Sequence, residues 1–442
     1  MGCQSFCSLS IVAIIIVGLH ARVSAQAPVK IPVAASSAFD YSAIDRYALA
    51  APLSVQQSIA SLAVYLARKA INDREKARAI FTWVANNISY DFDGVQTGTW
   101  EQRPEFVLQL RCTDCLGRAR LFEKLCLAAG MEAVVIGGRV KSIELSPMHD
   151  MRYTIVTPEG TVYDSHSWNA IKIDGKWQLV DVTAAGGKAK KLGMIEKGKP
   201  VDPYFFLIPA PVMIYTHLPN EEKWQLLEPP LSKQEQERLP LLYEGFFKYE
   251  IKTAKAEEKV LHITDELTHS LIAPVGVAMC AELRQDGHKV EGQYVFSQRG
   301  AKNYEFYAIT PRPGTYILRL LGRPANSQQL LWECIADYKV DAKSGKADGS
   351  FPFAWDEFQL KQGYVFSPSS GTLNTDRPQF FKVYMPNALS VGIQTGGQII
   401  ALDRQGDVFS GNVLLAPGEV LITARFSGRP DWNAGLIRYT AR

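Results

Sequence analysis

The chain has 442 residues, of which 47% are apolar and 21% are charged. Both fractions are close to the average for globular proteins, and they exclude a globally disordered chain or a collagen-like fibre. The formal net charge of +3 is small and like charges form no long block, so a nucleic-acid-binding protein is not expected. At about 100–200 residues per domain, the length predicts two to four domains with enough core to fold without metals or disulfides.

The first 25 residues have the pattern of a secretory signal peptide. The apolar run LSIVAIIIVGL, residues 9–19, is shorter than the roughly 20 residues that span a bilayer. It is followed by the small-residue sequence Val-Ser-Ala, and cleavage after Ala25 is expected. This predicts a secreted or periplasmic protein with residues 26–40 as a flexible leader. Because residues 1–8 contain no Lys or Arg, an uncleaved anchor is the alternative.

Three helical patterns follow in chain order. The first opens at Ser54 and the second at Asp73, each with its apolar residues repeating on one face. The third starts near Asp114 or Cys115, and Gly130 ends it.

After Gly130 the pattern changes to strands. The clearest signal is Asp174-Gly175, a two-residue turn between the β-rich segments 168–173 and 176–182. Helices followed by strands predict an α+β domain over residues 41–195. Residues 196–245 are rich in proline and are expected to be a connector that packs on this domain.

The remaining chain is predicted to be all β. The sequence Pro-Gly-Thr-Tyr-Ile-Leu at 313–318 resembles Pro-Gly-Glu-Val-Leu-Ile at 417–422, and a strand that ends in an aromatic residue follows each. This repetition predicts two related, immunoglobulin-like β-sandwich modules at residues 246–342 and 350–442.

Two of the seven cysteines lie in the predicted signal peptide, which leaves an odd number in the mature chain. At least one thiol is therefore unpaired or pairs elsewhere. Cys280 and Cys334 both fall in the first β-module, where a disulfide and two free thiols are equally consistent with the sequence. Cys126 lies inside the third helix and is expected to be structural.

Cys115 is the candidate nucleophile. At the start of a helix, free backbone N–H groups and the helix dipole stabilise a thiolate, which is the reactive form. Arg111 and Arg118 are expected to add positive charge nearby. The pair Cys112-x-x-Cys115 has two other interpretations, a redox pair or half of a zinc site. No second CxxC or matching His pair exists, so no metal ion and no other cofactor is expected.

The predicted hairpin supplies the partners of this thiol. With Asp174-Gly175 as the turn, Trp168 faces Asp181, and His166 is the diagonal neighbour of Asp181 on the same face. Diagonal neighbours are about 7–8 Å apart at the backbone, within reach of two polar side chains. An Asp that orients a His base would complete a Cys-His-Asp triad. The residue pattern alone does not bring this face to the Cys115 helix.

Several segments carry a resemblance to a known family. Residues 115–122, CLGRARLF, resemble the nucleophile helix of the transglutaminase-like superfamily, and residues 166–170 and 175–181 resemble its His and Asp segments. The sequence IYTHLP at 214–219 is similar to the segment that follows the core in the kyphoscoliosis peptidase branch. The resemblance implies a papain-like core, with a helix on an antiparallel sheet, ahead of β-sandwich modules. It assigns the catalytic positions to Cys115, His166 and Asp181.

With the signal peptide, the resemblance implies a secreted, thiol-dependent acyl-transfer enzyme that acts on protein or peptide amides through a Cys115 thioester. Water as acceptor would make it a peptidase or deamidase, which the name of the branch favours, and a lysine amine would make it a crosslinking transglutaminase. Arg118 stands where the family usually has an aromatic residue, so the substrate preference is left open.

Two other functions remain open from the sequence. The first is a non-catalytic scaffold whose core and β-modules bind a protein or glycan partner. The second is a thiol–disulfide oxidoreductase that uses Cys112 and Cys115. No nucleic-acid partner is expected, nor any membrane contact beyond the signal peptide.

Overall fold

A computed structural model describes residues 39–142, 154–156, 162–186, 201–253, 259–326, 331–428 and 435–442. The predicted signal peptide and most of the predicted leader lie outside the described residues. Among the helices of the described part, none is long and apolar enough to cross a bilayer.

Helices dominate the first part of the described chain and are short elsewhere. Their bounds are α1 Ser42–Leu49, α2 Ile59–Ala67, α3 Asp73–Asn87, α4 Phe92–Thr97, α5 Pro104–Leu110, α6 Cys115–Ala128, α7 Val182–Ala185, α8 Ala210–Met213, α9 Lys233–Arg238, α10 Glu244–Lys248 and α11 Asp356–Leu360.

Strands begin in the core and make up most of the chain after residue 250. Their bounds are β1 Ser89–Tyr90, β2 Cys112–Thr113, β3 Ala133–Ser142, β4 Thr154–Val156, β5 Val162–Ile173, β6 Lys176–Val180, β7 Phe206–Ile208, β8 His217–Pro219, β9 Leu241–Leu242, β10 Lys252–Thr253, β11 Val260–Ile263, β12 Leu267–Ile272, β13 Val277–Gln285, β14 His288–Lys289, β15 Val295–Arg299, β16 Tyr304–Ala308, β17 Gly314–Pro324, β18 Glu333–Ala342, β19 Phe353–Ala354, β20 Tyr364–Ser367, β21 Thr372–Leu373, β22 Gln379–Tyr384, β23 Ala388–Thr395, β24 Gln398–Ala401, β25 Asp403–Gln405, β26 Val408–Val413, β27 Gly418–Phe426 and β28 Ile437–Ala441.

The first sheet has the strand order β7-β6-β5-β3-β8, with β4 paired to β5. Its pairs are antiparallel, as between β3 and β5, and α3 and α6 share a core with one of its faces. Phe81, Trp83 and Phe122 are fully buried in this core. Burial of these aromatic side chains is worth about 2–3 kcal/mol each, so packing rather than helix propensity holds the helices on the sheet.

The helix that carries the candidate nucleophile begins and ends as predicted. It runs from Cys115 to Ala128, with Asp114 as its N-cap, and Gly130 follows it at φ +79°. The first predicted helix begins later than Ser54, where the sequence pattern opens it. Residues 53–57 form a 3-10 turn, and α2 begins only at Ile59 because Ser58 caps it by accepting the Ser61 N–H.

The segment predicted to be a connector supplies both edges of the first sheet. Phe206–Ile208 pairs with β6, and His217–Pro219 pairs with β3. Farther on, Leu241–Leu242 pairs with β18 of the following β region. This segment is therefore part of the sheet that carries the candidate site.

The β-rich remainder contains two copies of one arrangement, in which a larger sheet is accompanied by a four-stranded sheet. The sheets β11-β18-β17-β13-β14 and β10-β12-β16-β15 come first, and β19-β28-β27-β23-β24 and β20-β22-β26-β25 follow. Gly314 and Gly418, the two glycines of the repeated sequence, begin β17 and β27 with φ of +148° and +115°. An α+β core followed by β-sandwich modules confirms the predicted fold class.

The structure decides between the two states proposed for Cys280 and Cys334. Cys280 and Cys334 form no disulfide with each other. Cys280 pairs across to Leu321 from one side, and Cys334 pairs to the same Leu321 from the other. The two cysteines are thus two strand spacings apart, about 9–10 Å. A disulfide needs Cα atoms within about 7 Å, so the intervening strand excludes this bond.

Candidate active site

Cys115 is the first residue of α6. The Asp114 side chain caps this helix by accepting the Gly117 N–H at 2.8 Å. Position 117 has no room for a side chain, since a Cβ there would lie 1.9 Å from the Thr113 hydroxyl oxygen. The cap and the close packing set where the helix begins. They leave the partly buried Cys115 thiol in the first turn, near N–H groups that have no acceptor within the helix.

His166 lies in β5, where it pairs with Gly138 of β3. Its ring stacks on Trp168, two residues along the same face, with centroids 5.9 Å apart. A Cβ on Gly138 would lie 2.4 Å from the Trp168 ring and 2.4 Å from the Leu218 carbonyl oxygen. Glycine at this position therefore gives Trp168, and through it His166, the space to lie flat against β3.

Asp181 meets His166, but it does so from just after the end of β6 and not from a paired position within the strand. The predicted register is confirmed, because Ile173 pairs with Lys176 and Asn169 with Val180. Asp181 lies one residue beyond the strand and is the N-cap of α7. Its fully buried carboxylate accepts a hydrogen bond from His166 Nε2 at 2.7 Å through Oδ2.

The Cys115 side chain also acts on His166, since it is among the groups that raise the pKa of this imidazole. Asp181 occupies Nε2 of the imidazole. The other ring nitrogen, Nδ1, is therefore the atom available to the thiol. Burial alone would lower the pKa of His166, but Asp181 and then Cys115 outweigh it and raise the pKa to about 10. Burial would likewise raise the pKa of Asp181, and the bonds from His166 and His217 lower it instead. The structure thus brings together the three residues that the sequence singles out.

Two comparisons with known families agree with this geometry. Residues 60–182 match the family model described as "Transglutaminase-like superfamily", and residues 233–353 match "KY-like, immunoglobulin-like domain". The chain therefore contains a transglutaminase-like domain, and a KY-like, immunoglobulin-like domain follows it.

Relatives of the transglutaminase-like core occur in several animals. Mouse kyphoscoliosis peptidase is 30% identical over 42% of this chain and 27% of its own length. Hillarin of Drosophila melanogaster is 26% identical over 69% of this chain and 40% of its own. Lim and transglutaminase domain protein ltd-1 of Caenorhabditis elegans is 30% identical over 48% of this chain and 29% of its own. The matched part spans less than half of the length of each relative.

A second histidine, His217, lies at the same carboxylate. Its Nε2 is 3.1 Å from Asp181 Oδ2, and its Nδ1 is 2.8 Å from the Thr216 hydroxyl. His217 lies in the sequence IYTHLP, whose resemblance to the family assigns no role to the histidine. The only signal was that resemblance, because no short-range spacing connects β8 to the His166 hairpin.

Arg118 is buried behind the site and only 2% exposed. Its guanidinium donates to the Thr183 carbonyl at 3.3 Å. Burial lowers the pKa of Arg118 to about 10, although Asp181 and the thiols of Cys112 and Cys115 act to raise it. Arg118 therefore places a positive charge beside both the carboxylate and the candidate nucleophile.

Arg111 does not contribute in the way that the sequence suggests. It donates to the side chain of Gln56 at 2.8 Å and lies 4.7 Å from the Trp83 ring, so its guanidinium interacts with these two residues.

The other cysteines of the core differ from the candidate nucleophile in their surroundings. Cys112 and Cys115 are both free, and burial raises the pKa of Cys112. Cys126 is fully buried in the core.

Within the described residues, one group has the donors of a metal site. The ligand atoms of His166, Asp181 and His217 all lie within 4.8 Å of one another. Imidazole and carboxylate donors of this kind suit Zn²⁺. Each imidazole already bonds to the carboxylate, so a bound ion would have to replace both of these hydrogen bonds.

Away from the core, the two β-modules enclose a groove of about 1030 Å³. Arg299 and Glu305 line it from the first module, and Tyr364, Phe366 and Tyr384 line it from the second. The Tyr364 hydroxyl donates to Glu305 at 3.0 Å, so a hydrogen bond ties the two walls together. No member of the Cys-His-Asp group lines this groove.

Proposed function

We propose that this protein is a secreted, thiol-dependent acyl-transfer enzyme that acts on protein or peptide amides. The observation that carries the proposal is the 2.7 Å hydrogen bond between His166 and the buried Asp181, together with Cys115 in the first turn of α6, whose side chain acts on the same imidazole. This order of nucleophile, base and orienting carboxylate is what nucleophilic catalysis by a thiol requires.

In the first step, His166 holds the proton of the Cys115 thiol, and the sulfur attacks the carbonyl carbon of the amide. The C–N bond then breaks, and His166 donates its proton to the departing amine. Asp181 holds the imidazole in the orientation and tautomer that this exchange needs. The backbone N–H of Cys115, in the first turn of α6, would donate to the developing oxyanion.

In the second step, an acceptor attacks the carbonyl carbon of the thioester and gives its proton to His166. The C–S bond then breaks, and His166 returns the proton to the Cys115 sulfur. With water the products are a carboxylic acid and the free thiol, and the enzyme is a peptidase or deamidase. With a lysine amine the product is a new amide crosslink. The name of the relative kyphoscoliosis peptidase favours hydrolysis.

The first experiment measures alkylation of the mature protein by limiting iodoacetamide from pH 4 to 9, with each cysteine quantified by peptide mass spectrometry. Cys112, Cys126, Cys280 and Cys334 serve as internal references. We expect selective labelling of Cys115 well below pH 8, and loss of this selectivity in His166→Ala. Labelling of Cys115 no faster than of an ordinary thiol would refute the proposal.

A non-catalytic scaffold is the second candidate, and the groove between the β-modules favours it. The groove combines aromatic rings with amide and charged groups, a composition that suits a protein or glycan ligand. A folded protein with an unreactive Cys115 would support this candidate. Its groove residues, such as Phe366 and Tyr384, would then be the first positions to substitute in a binding assay.

A further inference from the structure

The carboxylate of Asp181 is held at both of its oxygens. Oδ1 accepts the backbone N–H groups of Thr183 and Ala184 at 2.8 and 2.9 Å. Oδ2 accepts His166 at 2.7 Å and His217 at 3.1 Å. A carboxylate has about four acceptor positions, so these four donors saturate it. His166 needs only one of them, and the role of the second imidazole is not explained by the triad alone.

The Asp181 carboxylate selects the tautomer of His217. His217 is buried, and a carboxylate can only accept, so a neutral His217 carries its proton on Nε2, which lies 3.1 Å from Asp181 Oδ2. Nδ1 is then an acceptor for the Thr216 hydroxyl at 2.8 Å, and this hydroxyl also lies 3.2 Å from the Met213 carbonyl oxygen. Burial lowers the pKa of His217 and outweighs the raising effect of Asp181, and the charge of His166 lowers this pKa further.

Ring packing fixes His217 in this position. Its ring meets the buried Trp168 edge to face, with centroids 5.1 Å apart. Trp168 also stacks on His166, so one indole supports both imidazoles that bond to Asp181. Rotation of the carboxylate away from His166 would break the bond to His217 as well.

We propose that His217 is a positioning residue of the thiol site, which keeps Asp181 aimed at His166 and thereby keeps His166 aimed at Cys115. The inference rests on the function proposed above. His217 begins β8 and lies beyond residues 60–182, the part that matches the transglutaminase-like family model. The functional core of this chain therefore extends at least to residue 219, through the pairing of β8 with β3.

The test uses the full mature chain with two matched pairs of variants. His217→Phe keeps a ring against Trp168 but cannot donate, whereas His217→Gln keeps a side-chain N–H that can reach Asp181. Thr216→Val removes the hydroxyl that can donate to Nδ1, and Thr216→Ser retains it. For each protein, the alkylation rate of Cys115 is measured from pH 4 to 9, and thermal unfolding reports whether the variant is folded.

A hydrogen bond to a charged group is worth about ten-fold or more in an equilibrium. We expect His217→Phe to slow Cys115 alkylation at pH 6 about ten-fold and to move its pH profile upward, with most of the rate restored in His217→Gln. Thr216→Val should slow it about three-fold, with Thr216→Ser close to the parent.

A folded His217→Phe protein with the parental rate and pH profile would overturn the inference. If His217→Phe does not fold, equal alkylation rates in Thr216→Val and Thr216→Ser would overturn it instead. The two proposals fail in different ways. A parent protein whose Cys115 reactivity does not depend on His166 refutes the enzyme, whereas His166 dependence without His217 dependence refutes only the positioning role.

Discussion

The Asn169 side chain in β5 donates a hydrogen bond to the backbone carbonyl of Ala119 in α6, at 3.0 Å and with no exposure to solvent. This bond joins the strand of His166 to the helix of Cys115. Asn169 also donates to the Val134 carbonyl of β3 at 3.2 Å, so the amide ties two strands and the helix together. It supplies the link between nucleophile and base that local sequence patterns do not contain.

Asn169→Leu tests this link. The substitution keeps the volume but leaves the two carbonyls without their donor, at an expected cost of about 1–3 kcal/mol in the free energy of unfolding. Cys115 alkylation should also lose its dependence on His166 in part, because the helix is no longer held in register. Urea unfolding and peptide-resolved alkylation measure the two effects. An Asn169→Leu protein with parental stability and reactivity would show that packing alone aligns the helix.

The His166–Asp181 pair predicts a particular dependence of stability on pH. The pKa of His166 is about 10 in the folded protein and about 6.5 when unfolded. A raised histidine pKa stabilises the fold fully below pH 6.5, and this contribution is lost as the pH rises towards 10. The parent should therefore lose more unfolding free energy between pH 6 and 9 than His166→Gln does.

Urea titrations of both proteins at several pH values give this difference, since titrating groups that do not interact with His166 cancel between them. Parallel pH dependences would mean that His166 has an ordinary pKa in the folded protein. On the acid side, the lowered pKa of Asp181 predicts that its contribution persists down to pH values below its unfolded pKa of about 3.8.

Arg118→Met tests the buried cation behind the site. It removes the donor to the Thr183 carbonyl and the charge beside Asp181, and we expect a loss of about 2 kcal/mol in stability. Cys115 alkylation should slow, because a positive charge near a thiol favours the thiolate. Arg120, which is exposed on the same helix, provides the control Arg120→Met. Equal behaviour of the two variants would contradict a role for Arg118 at the site.

Two adjacent glycines in β3 make a matched pair. A Cβ at Gly138 would collide with Trp168 and the Leu218 backbone at 2.4 Å, whereas the nearest atom to a Cβ at Gly137 is 3.6 Å away, on Asn220. Gly138→Ala should therefore cost about 1–3 kcal/mol and slow Cys115 alkylation by displacing the indole under His166. Gly137→Ala should leave both nearly unchanged. Thermal unfolding of the two variants, with alkylation alongside, decides whether the close approach matters.

Local chemistry explains why some features could be predicted. The two-residue turn at Asp174-Gly175 sets a hairpin register that extends as far as Asn169 and Val180, and it holds. Similarly, the N-cap at Asp114 and the positive φ of Gly130 bound α6 where the pattern places them. The prediction at Ser54 is less accurate because Ser58, only four residues later, is also a good cap.

The sequence by itself determined the α+β core, the repeated β-modules and the identity of Cys115, His166 and Asp181 as candidates, because periodicity, turn residues and motifs are local properties. Only the tertiary structure decided that His217 shares the carboxylate of Asp181, that Arg118 is buried behind it, and that a strand separates Cys280 from Cys334. These relations join residues that are far apart in the chain. They depend on which strands become neighbours when the sheets assemble, and this is settled by packing over the whole core.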